Sequence, residues 1–387
     1  MKITKIRCQV VNARLRNWIF VHVETDQPGL TGLGEATLEF QTRAVVGAVE
    51  DLAGLIEGED PRRIEHLWQV LFRHPFFKGG IVTMSALSGI DQALHDIKAK
   101  ALGIPLWQLL GGLTRDKLRM YDHLGGGDAN AVYDSARAES FAEKAARSRA
   151  DGFTAVKVLA VGQTRPLDGN AALRGAEALM AAAREGAGED MDIMVDLHGR
   201  TTAAMAIQYA EALKPYRPWF FEEPCQPEDV AGIARVARST TIPIASGERL
   251  CHRSEFLPLL QADAISVAQP DVCHAGGLTE VRKIAALCDT FGVSMAPHNP
   301  LGPVATMVNI HLGFATPNFL IQEVMRSDVP WRDEVVHGGA AIEGGHVLPP
   351  QAPGIGIEID AAAAARHPWE DARPIQWYHE DGSVADW

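Results

Sequence analysis

The chain has 387 residues, 47% of them hydrophobic and 22% charged, which are the proportions of an ordinary soluble globular protein with room for two or three domains. A net charge of −13 argues against nucleic acid or an anionic membrane as the main partner, and no stretch nears the roughly 18 unbroken apolar residues of a membrane span. The five cysteines, Cys8, Cys225, Cys251, Cys273 and Cys288, are scattered in neither a zinc spacing nor a disulfide framework. With a polar, alternating N-terminus that lacks a signal-peptide pattern, the expected location is the reduced cytoplasm.

Residues 1–35 alternate as antiparallel strands would: KITKIRCQVV, then WIFVHVETD, then TGLGEA. From about residue 43 to 110 the pattern turns helical. Leu87, Ile90, Leu94, Ile97 and Ala101 recur at spacings of three and four, an apolar stripe that Gly103 and Pro105 end. Leu106 to Leu110 start a short helix that Gly111 and Gly112 stop. Strands followed by helices predict an α+β domain over 1–115.

The grammar then changes to strand, helix, strand, helix. The strand candidates are LRMYDHL, FTAVKVLAV, MDIMVDLH, PWFFEEP, PIASGE, AISVAQPD, VSMAPHN and FLIQEVM, with Ala-rich helical stretches between most of them. Eight strands in this alternation predict a (β/α)8-type barrel over 116–350 rather than an open doubly wound sheet. The glycine run at 125–127 lacks the GxGxxG spacing and says little for phosphate binding. The Pro-, Trp- and His-rich tail, 351–387, is expected to pack back on the first domain.

Asp196, Glu222 and Glu248 each follow an apolar strand, at an even interval of 26 residues. At the C-terminal mouth of one barrel the three would converge, and three carboxylates together call for a cation. An all-oxygen set without Cys or His suits Mg2+. Glu223 points to the other side of a continuing strand and can pair with a lysine. His298 ends the later strand GVSMAPHNP, and Asp271 ends the strand before it. An Asp–His dyad beside a metal suits removal of a weakly acidic proton next to a carboxylate. His198 shares a side with Asp196 in a period-two pattern and is either the acid or a bystander. Lys157 is read first as a buried ion-pair partner and second as a base. His123 and Asp122 can line the pocket, and Cys273 and His274 are read as loop or helix-start residues. No GxSxG or cysteine-nucleophile signature occurs.

The motifs DQALHDIKAKALGIPLWQLLGG, DLHGR, FFEEP, GERL, QPDVCHAGGLTE, APHNPLGP, IQE and HEDGSVADW resemble, across nearly the whole chain, those of the enolase superfamily. Within it the chain resembles the mandelate racemase subgroup and its galactonate-dehydratase-like branch. That resemblance implies a modified (β/α)7β barrel under an α+β capping domain completed by the C-terminal tail. It implies Mg2+ ligands at Asp196, Glu222 and Glu248, a base at His298 with Asp271, an acid at His198 and a substrate contact at Glu323. Loops near Asn17–Trp18 and Phe76–Gly80 would close the pocket, and a homo-oligomer is implied.

Leu159 stands where racemases of the subgroup carry a second lysine, which favours proton removal from one face and a 2R-configured acid. His123 replaces a tryptophan of the galactonate enzymes. The expected activity is Mg2+-dependent dehydration of an aldonate to a 2-keto-3-deoxy acid through an enediolate, with D-galactonate first and D-gluconate close behind. The alternatives are an epimerase or cycloisomerase of a related acid, or a metal-binding homologue of low activity.

Overall fold

The computed structural model describes residues 1–124, 138–326, 328–371 and 376–386. The glycines at 125–127 and the final Trp387 lie outside them. Among the described residues no helix is long and apolar enough to cross a membrane.

The N-terminal sheet runs β1 (Ile3–Ala13), β2 (Arg16–Thr25) and β3 (Thr31–Glu35), antiparallel and in sequence order. Helices α1 (Thr42–Ala53), α2 (Ile64–Arg73) and α3 (Ile81–Leu102) follow, then the single turn α4 (Leu106–Leu109). Alternate residues of β2, Ile19, Val21 and Val23, join Val45 and Val49 of α1, Leu67 and Leu71 of α2, and Leu87, Ile90 and Leu94 of α3 in one core.

The stripe expected on α3 is too narrow, because the helix is buried on almost every side from Met84 to Ile97. Its buried polar residues complete what β3 leaves open as an edge strand. Asp96 accepts Leu33 N–H at 2.9 Å and Ile355 N–H at 2.9 Å. Gln92 accepts Glu35 N–H at 3.0 Å and donates to Val272 O at 3.0 Å, while Asp91 accepts Thr279 N–H at 3.0 Å. The helix therefore stitches the sheet to the second domain. Glycine is needed at 32 and 34, where a Cβ would lie 2.1 Å from Ala93 O and 2.0 Å from Gly89 O.

Eight parallel strands follow: β4 (Leu118–His123), β5 (Ala155–Val158), β6 (Asp192–Asp196), β7 (Pro218–Glu222), β8 (Ile244–Ser246), β9 (Val267–Ala268), β10 (Ser294–Met295) and β11 (Gln322–Val324). They pair in chain order, β11 pairs with β4, and a parallel bridge from Met295 to Phe319 joins β10 to the segment entering β11. Among the described residues seven α-helices lie between them: α5 (Ala138–Ala150), α6 (Asn170–Ala187), α7 (Ala203–Leu213), α8 (Val230–Ser239), α9 (Arg253–Gln261), α10 (Gly277–Thr290) and α11 (Pro303–Ala315). This is the (β/α)7β arrangement. The chain then returns to the N-terminal sheet, where His367 O accepts Asn12 N–H at 2.9 Å and Asp371 pairs with Arg43 at 3.0 Å. Asp381 instead pairs with Arg165 of the barrel at 2.8 Å.

His311 on α11 is fully buried; its Nδ1 accepts Trp107 N–H at 3.1 Å and its Nε2 donates to Ile355 O at 3.2 Å. Burial lowers its pKa from 6.5 to about 4. The unfolded chain therefore takes up the proton first, and stability present above pH 6.5 is lost as the pH falls toward 4. The two ends of that window differ by about 3 kcal/mol for this group. His311→Gln, which keeps an acceptor for Trp107, is expected to flatten the fall of Tm across the window; an unaltered slope would count against the assignment.

Candidate active site and metal centre

One residue from each barrel strand or its edge forms an apolar plug inside the barrel: Tyr121, Ala155, Met194, Phe220, Ala245, Val267, Ala296 and Ile321. Two residues further along each strand, on the same inward face, stand His123, Lys157, Asp196, Glu222, Gly247, Gln269, His298 and Glu323. The polar chemistry is thus the layer above the plug. Glu248 is out of phase with it. Gly247, at φ 135°, turns the chain as β8 ends, and a Cβ there would lie 2.5 Å from the Phe256 ring. Only glycine makes that turn cheaply, and it delivers Glu248 beside Asp196 and Glu222.

Ligand oxygens of Asp196, Glu222 and Glu248 lie within 4.8 Å of one another, all three residues buried. Glu222 Oε2 and Glu248 Oε2 have no hydrogen-bond partner. Burial, Lys157 opposing, and then the Asp196 charge push the Glu222 carboxyl up to about 8. Burial and the neighbouring Glu223, Asp196 and Glu222 push Glu248 well above the carboxylate range. Bare, buried, mutually repelling oxygens with no soft ligand among them are a set that fits a divalent cation.

Lys157 Nζ lies 2.7 Å from Glu222 Oε1, 2.8 Å from Glu323 Oε1 and 3.9 Å from Asp196 Oδ2. These carboxylates outweigh burial and hold its ammonium well above its ordinary pKa, so it is a fixed cation rather than a base. Glu223, just past the end of β7 at φ 41°, is not directed away as strand alternation predicted. It lines an adjoining cavity beside Glu248 and pairs with Arg249 at 2.8 Å, an arginine where a lysine was expected. Arg249 follows Glu248 directly, so one turn supplies both the metal-side acid and the partner of Glu223.

His298 Nδ1 is 2.7 Å from Asp271 Oδ2, and Asp271 Oδ1 accepts Cys273 N–H at 2.6 Å. Burial pushes the Asp271 carboxyl well above its usual range and the Cys273 N–H bond opposes that; paired with the ionised carboxylate, Nδ1 is the donor and keeps the proton. Burial, with the charges of Lys157 and other neighbours, holds His298 well below its usual pKa. Its Nε2 carries the lone pair and sits 3.7 Å from Glu248 Oε2, next to the acidic triad. The loop that bears it is held from two sides. Asn299 N–H donates to Glu323 Oε2 at 2.7 Å, and Glu35 of the N-terminal sheet accepts from Gly302 and Ala305 N–H, each at 2.8 Å.

His198 reaches the same cavity, but not by strand alternation. The strand ends at Asp196, His198 takes a left-handed φ of 57°, and its N–H bonds Asp196 Oδ1 at 2.7 Å. His123, Lys157, Leu159, Asp196, His198, Glu248, His298 and Glu323 all line this cavity. The N-terminal sheet and the loop after it add Arg16 and Glu39, an ion pair at 2.9 Å that sequence reading missed. Met325 and Pro300 were missed too, lacking any titratable group to flag them. Asp122 stays outside, bonded to Arg326 at 2.9 Å and to Ser148 at 2.5 Å.

Two expectations need correction. Asn17 and Trp18 belong to β2 rather than to a loop, and neither lines the cavity. Trp18 is fully buried in the core, and Asn17 Nδ2 donates to Glu370 O at 2.8 Å, tying down the tail. Their neighbour Arg16 takes the pocket position. In the second loop, Phe76 and Phe77 are 87% exposed, and it is Ile81, beyond Gly80, that reaches a cavity adjoining this one.

Comparison with known proteins extends these findings. Residues 5–111 match the model of the mandelate racemase / muconate lactonizing enzyme N-terminal domain, and residues 140–363 that of the enolase C-terminal domain-like family. A D-galactonate dehydratase of Ralstonia pickettii is 40% identical over 395 residues, covering 100% of both chains. Another from Xanthomonas oryzae pv. oryzae is 39% identical over 397 residues, again covering 100% of both. Among solved structures, a mandelate racemase/muconate lactonizing enzyme-like protein from Roseovarius superposes with a TM-score of 0.91 at 32% identity, covering 100% of each chain. A member of the enolase superfamily from Salmonella Typhimurium gives 0.88 at 32% identity, covering 95% of this chain and 98% of that one.

Proposed function

The chain belongs to the enolase superfamily, in its mandelate racemase subgroup, and from that premise we propose that it dehydrates a 2R-configured aldonate to a 2-keto-3-deoxy acid, with Mg2+ as the metal and D-galactonate as the first substrate. The observation that carries the reading is the meeting of a buried acidic triad, an Asp-oriented neutral histidine and a second histidine in one cavity.

Asp196, Glu222 and Glu248 would hold the metal, which when bound lowers the cost of the negative charge that builds up on the substrate carboxylate. His298 Nε2 takes the C2 proton, and the growing imidazolium is stabilised by Asp271 at 2.7 Å. His198 hands a proton to the 3-hydroxyl, the C3–O bond breaks, and water leaves. The resulting enol takes a proton at C3 and becomes the 2-keto acid. Glu323, fixed by Lys157 and by Asn299 N–H, bounds the pocket at the reacting end. Leu159 offers no proton acceptor and Lys157 is locked as a cation, so the position of a second lysine base is closed and His123 is left as the candidate for abstraction from another side. The closed lysine position favours dehydration over epimerisation.

A panel of C5 and C6 aldonates and aldarates assayed with Mg2+ for 2-keto-3-deoxy acid tests this. Product from D-galactonate is expected. C2 deuterium exchange without loss of water would replace dehydration by epimerisation, and silence across the panel would remove the dehydratase reading.

A further inference from the structure

Beside the reaction cavity lies an adjoining one that shares Glu39, His198, Glu248 and His298 with it and reaches out to Ile81, Gln226 and the tail residue Asp386. Its inner wall carries His274, which is buried and which the reaction described above does not use.

The protonation of this ring follows from its neighbours. Ser85 Oγ lies 2.8 Å from Ile81 O, a carbonyl that can only accept, so the single hydroxyl proton of Ser85 goes there. Toward His274 Nδ1, at 2.9 Å, Ser85 must then accept, and Nδ1 carries the ring proton. Burial lowers the pKa of His274 to about 4, which keeps the ring neutral at physiological pH. The lone pair is left on Nε2.

That nitrogen faces Asp271 Oδ2 at 3.8 Å, too far for a hydrogen bond and acceptor to acceptor. Asp271 Oδ2 is already taken by His298 Nδ1 at 2.7 Å. Nε2 is therefore the acceptor of this ring, with no donor hydrogen-bonded to it among the described residues, on a wall of the adjoining cavity next to the proton-abstracting histidine. A polyhydroxylated acid is a chain of such donors, and a hydroxyl without an acceptor in a buried site loses stability.

We propose that His274 is a specificity-determining contact whose Nε2 accepts a hydrogen bond from one hydroxyl of the acid-sugar chain beyond C3. This rests on the acid-sugar reading of the site. It deepens that reading by assigning the hydroxylated tail to the His274 side of the cavity, and it leaves Leu159 and Met325 as the apolar side. Ser85 acts as a positioning residue that sets the tautomer.

The test measures Kd, with Mg2+ present, for D-galactonate and its 4-, 5- and 6-deoxy analogues, alongside product formation, in the wild type and in His274→Phe and His274→Gln. His274→Phe is expected to weaken D-galactonate binding roughly 3- to 10-fold, as loss of one hydrogen bond would. One deoxy analogue should bind wild type and variant alike, and His274→Gln, which offers an oxygen near the Nε2 position, should recover part of the loss. An equal loss across the whole series would mean that His274 acts through Asp271, and no loss, or no binding of these acids by the wild type, would also overturn the proposal. Binding with the expected pattern but no product from the wild type would instead sink the dehydratase reading and leave the His274 contact standing. Should His274→Phe fail to fold, the same pattern at smaller size is expected of Ser85→Ala, and its absence there overturns the proposal.

Discussion

His298→Asn is expected to lower kcat for the aldonate by at least about 1,000-fold while moving KM little, because it removes the Asp271-oriented lone pair that lies next to the acidic triad. The side chain is well suited to a clean test. Its Nδ1 partner Asp271 is anchored independently by Cys273 N–H at 2.6 Å. The loop beyond it is held by Glu35 and Glu323 rather than by the imidazole. Asparagine can keep the hydrogen bond to Asp271 but places nothing where Nε2 stood, so the pocket stays shaped and loses only its base. C2 deuterium exchange should vanish with dehydration, since both begin with the same proton transfer. A variant that kept kcat within about tenfold of wild type, or that still exchanged C2 deuterium, would move the base to another residue. Of the alternatives, Lys157 is held as a cation by its ion pairs, whereas burial holds His123 neutral, which leaves it as the one to test next.

Why such a residue could be picked out from sequence, and Arg16 or His274 could not, follows from the barrel's two-residue period. Lys157, Asp196, Glu222, His298 and Glu323 are each two residues past the apolar plug, so an apolar run breaking into a polar residue marks them directly. The even interval of 26 residues between the acids is not what unites them. Asp196 and Glu222 share the inward phase and Glu248 does not, and a glycine turn rather than spacing brings it in. Strand alternation also failed for His198, whose left-handed turn re-aims it after the strand has ended. Arg16 comes from a different domain, and nothing local in RLRNWIF distinguishes the residue that faces the cavity from Asn17 and Trp18 beside it. His274 depends on Ser85, 189 residues away. Long-range pairs of that kind decide direction and protonation, and a single chain read in order does not bring them together. The buried polar face of α3 was hidden for a related reason. Asp91, Gln92 and Asp96 look solvent-directed by composition, but they serve backbone groups of β3, of the barrel helix α10 and of the returning tail.

Glu248→Gln should separate the two jobs of the acidic triad by making them change in opposite directions. Activity with Mg2+ is expected to fall by on the order of 1,000-fold, since a neutral amide binds the cation weakly and leaves the developing charge uncompensated. The metal-free protein, in contrast, should become more stable. Glu248 Oε2 and Glu222 Oε2 are buried without partners, and Lys157 approaches Glu222 and Glu323 but is not paired with Glu248. Replacing one of three crowded carboxylates by an isosteric amide removes repulsion without opening a cavity, a gain of about 1–3 kcal/mol and a rise of a few degrees in Tm with chelator present. With Mg2+ the order should reverse. The wild type gains about 2.7 kcal/mol when the ion stands at 100 times its Kd, and the variant gains almost none. Crossing Tm values in chelator and in Mg2+ are therefore the signature of a site whose stability is set against its function. If Glu248→Gln is less stable than wild type in both conditions, the glutamate is a structural hydrogen-bonding group and the cation belongs elsewhere. If the two proteins respond alike to Mg2+, Asp196 and Glu222 hold the ion without it.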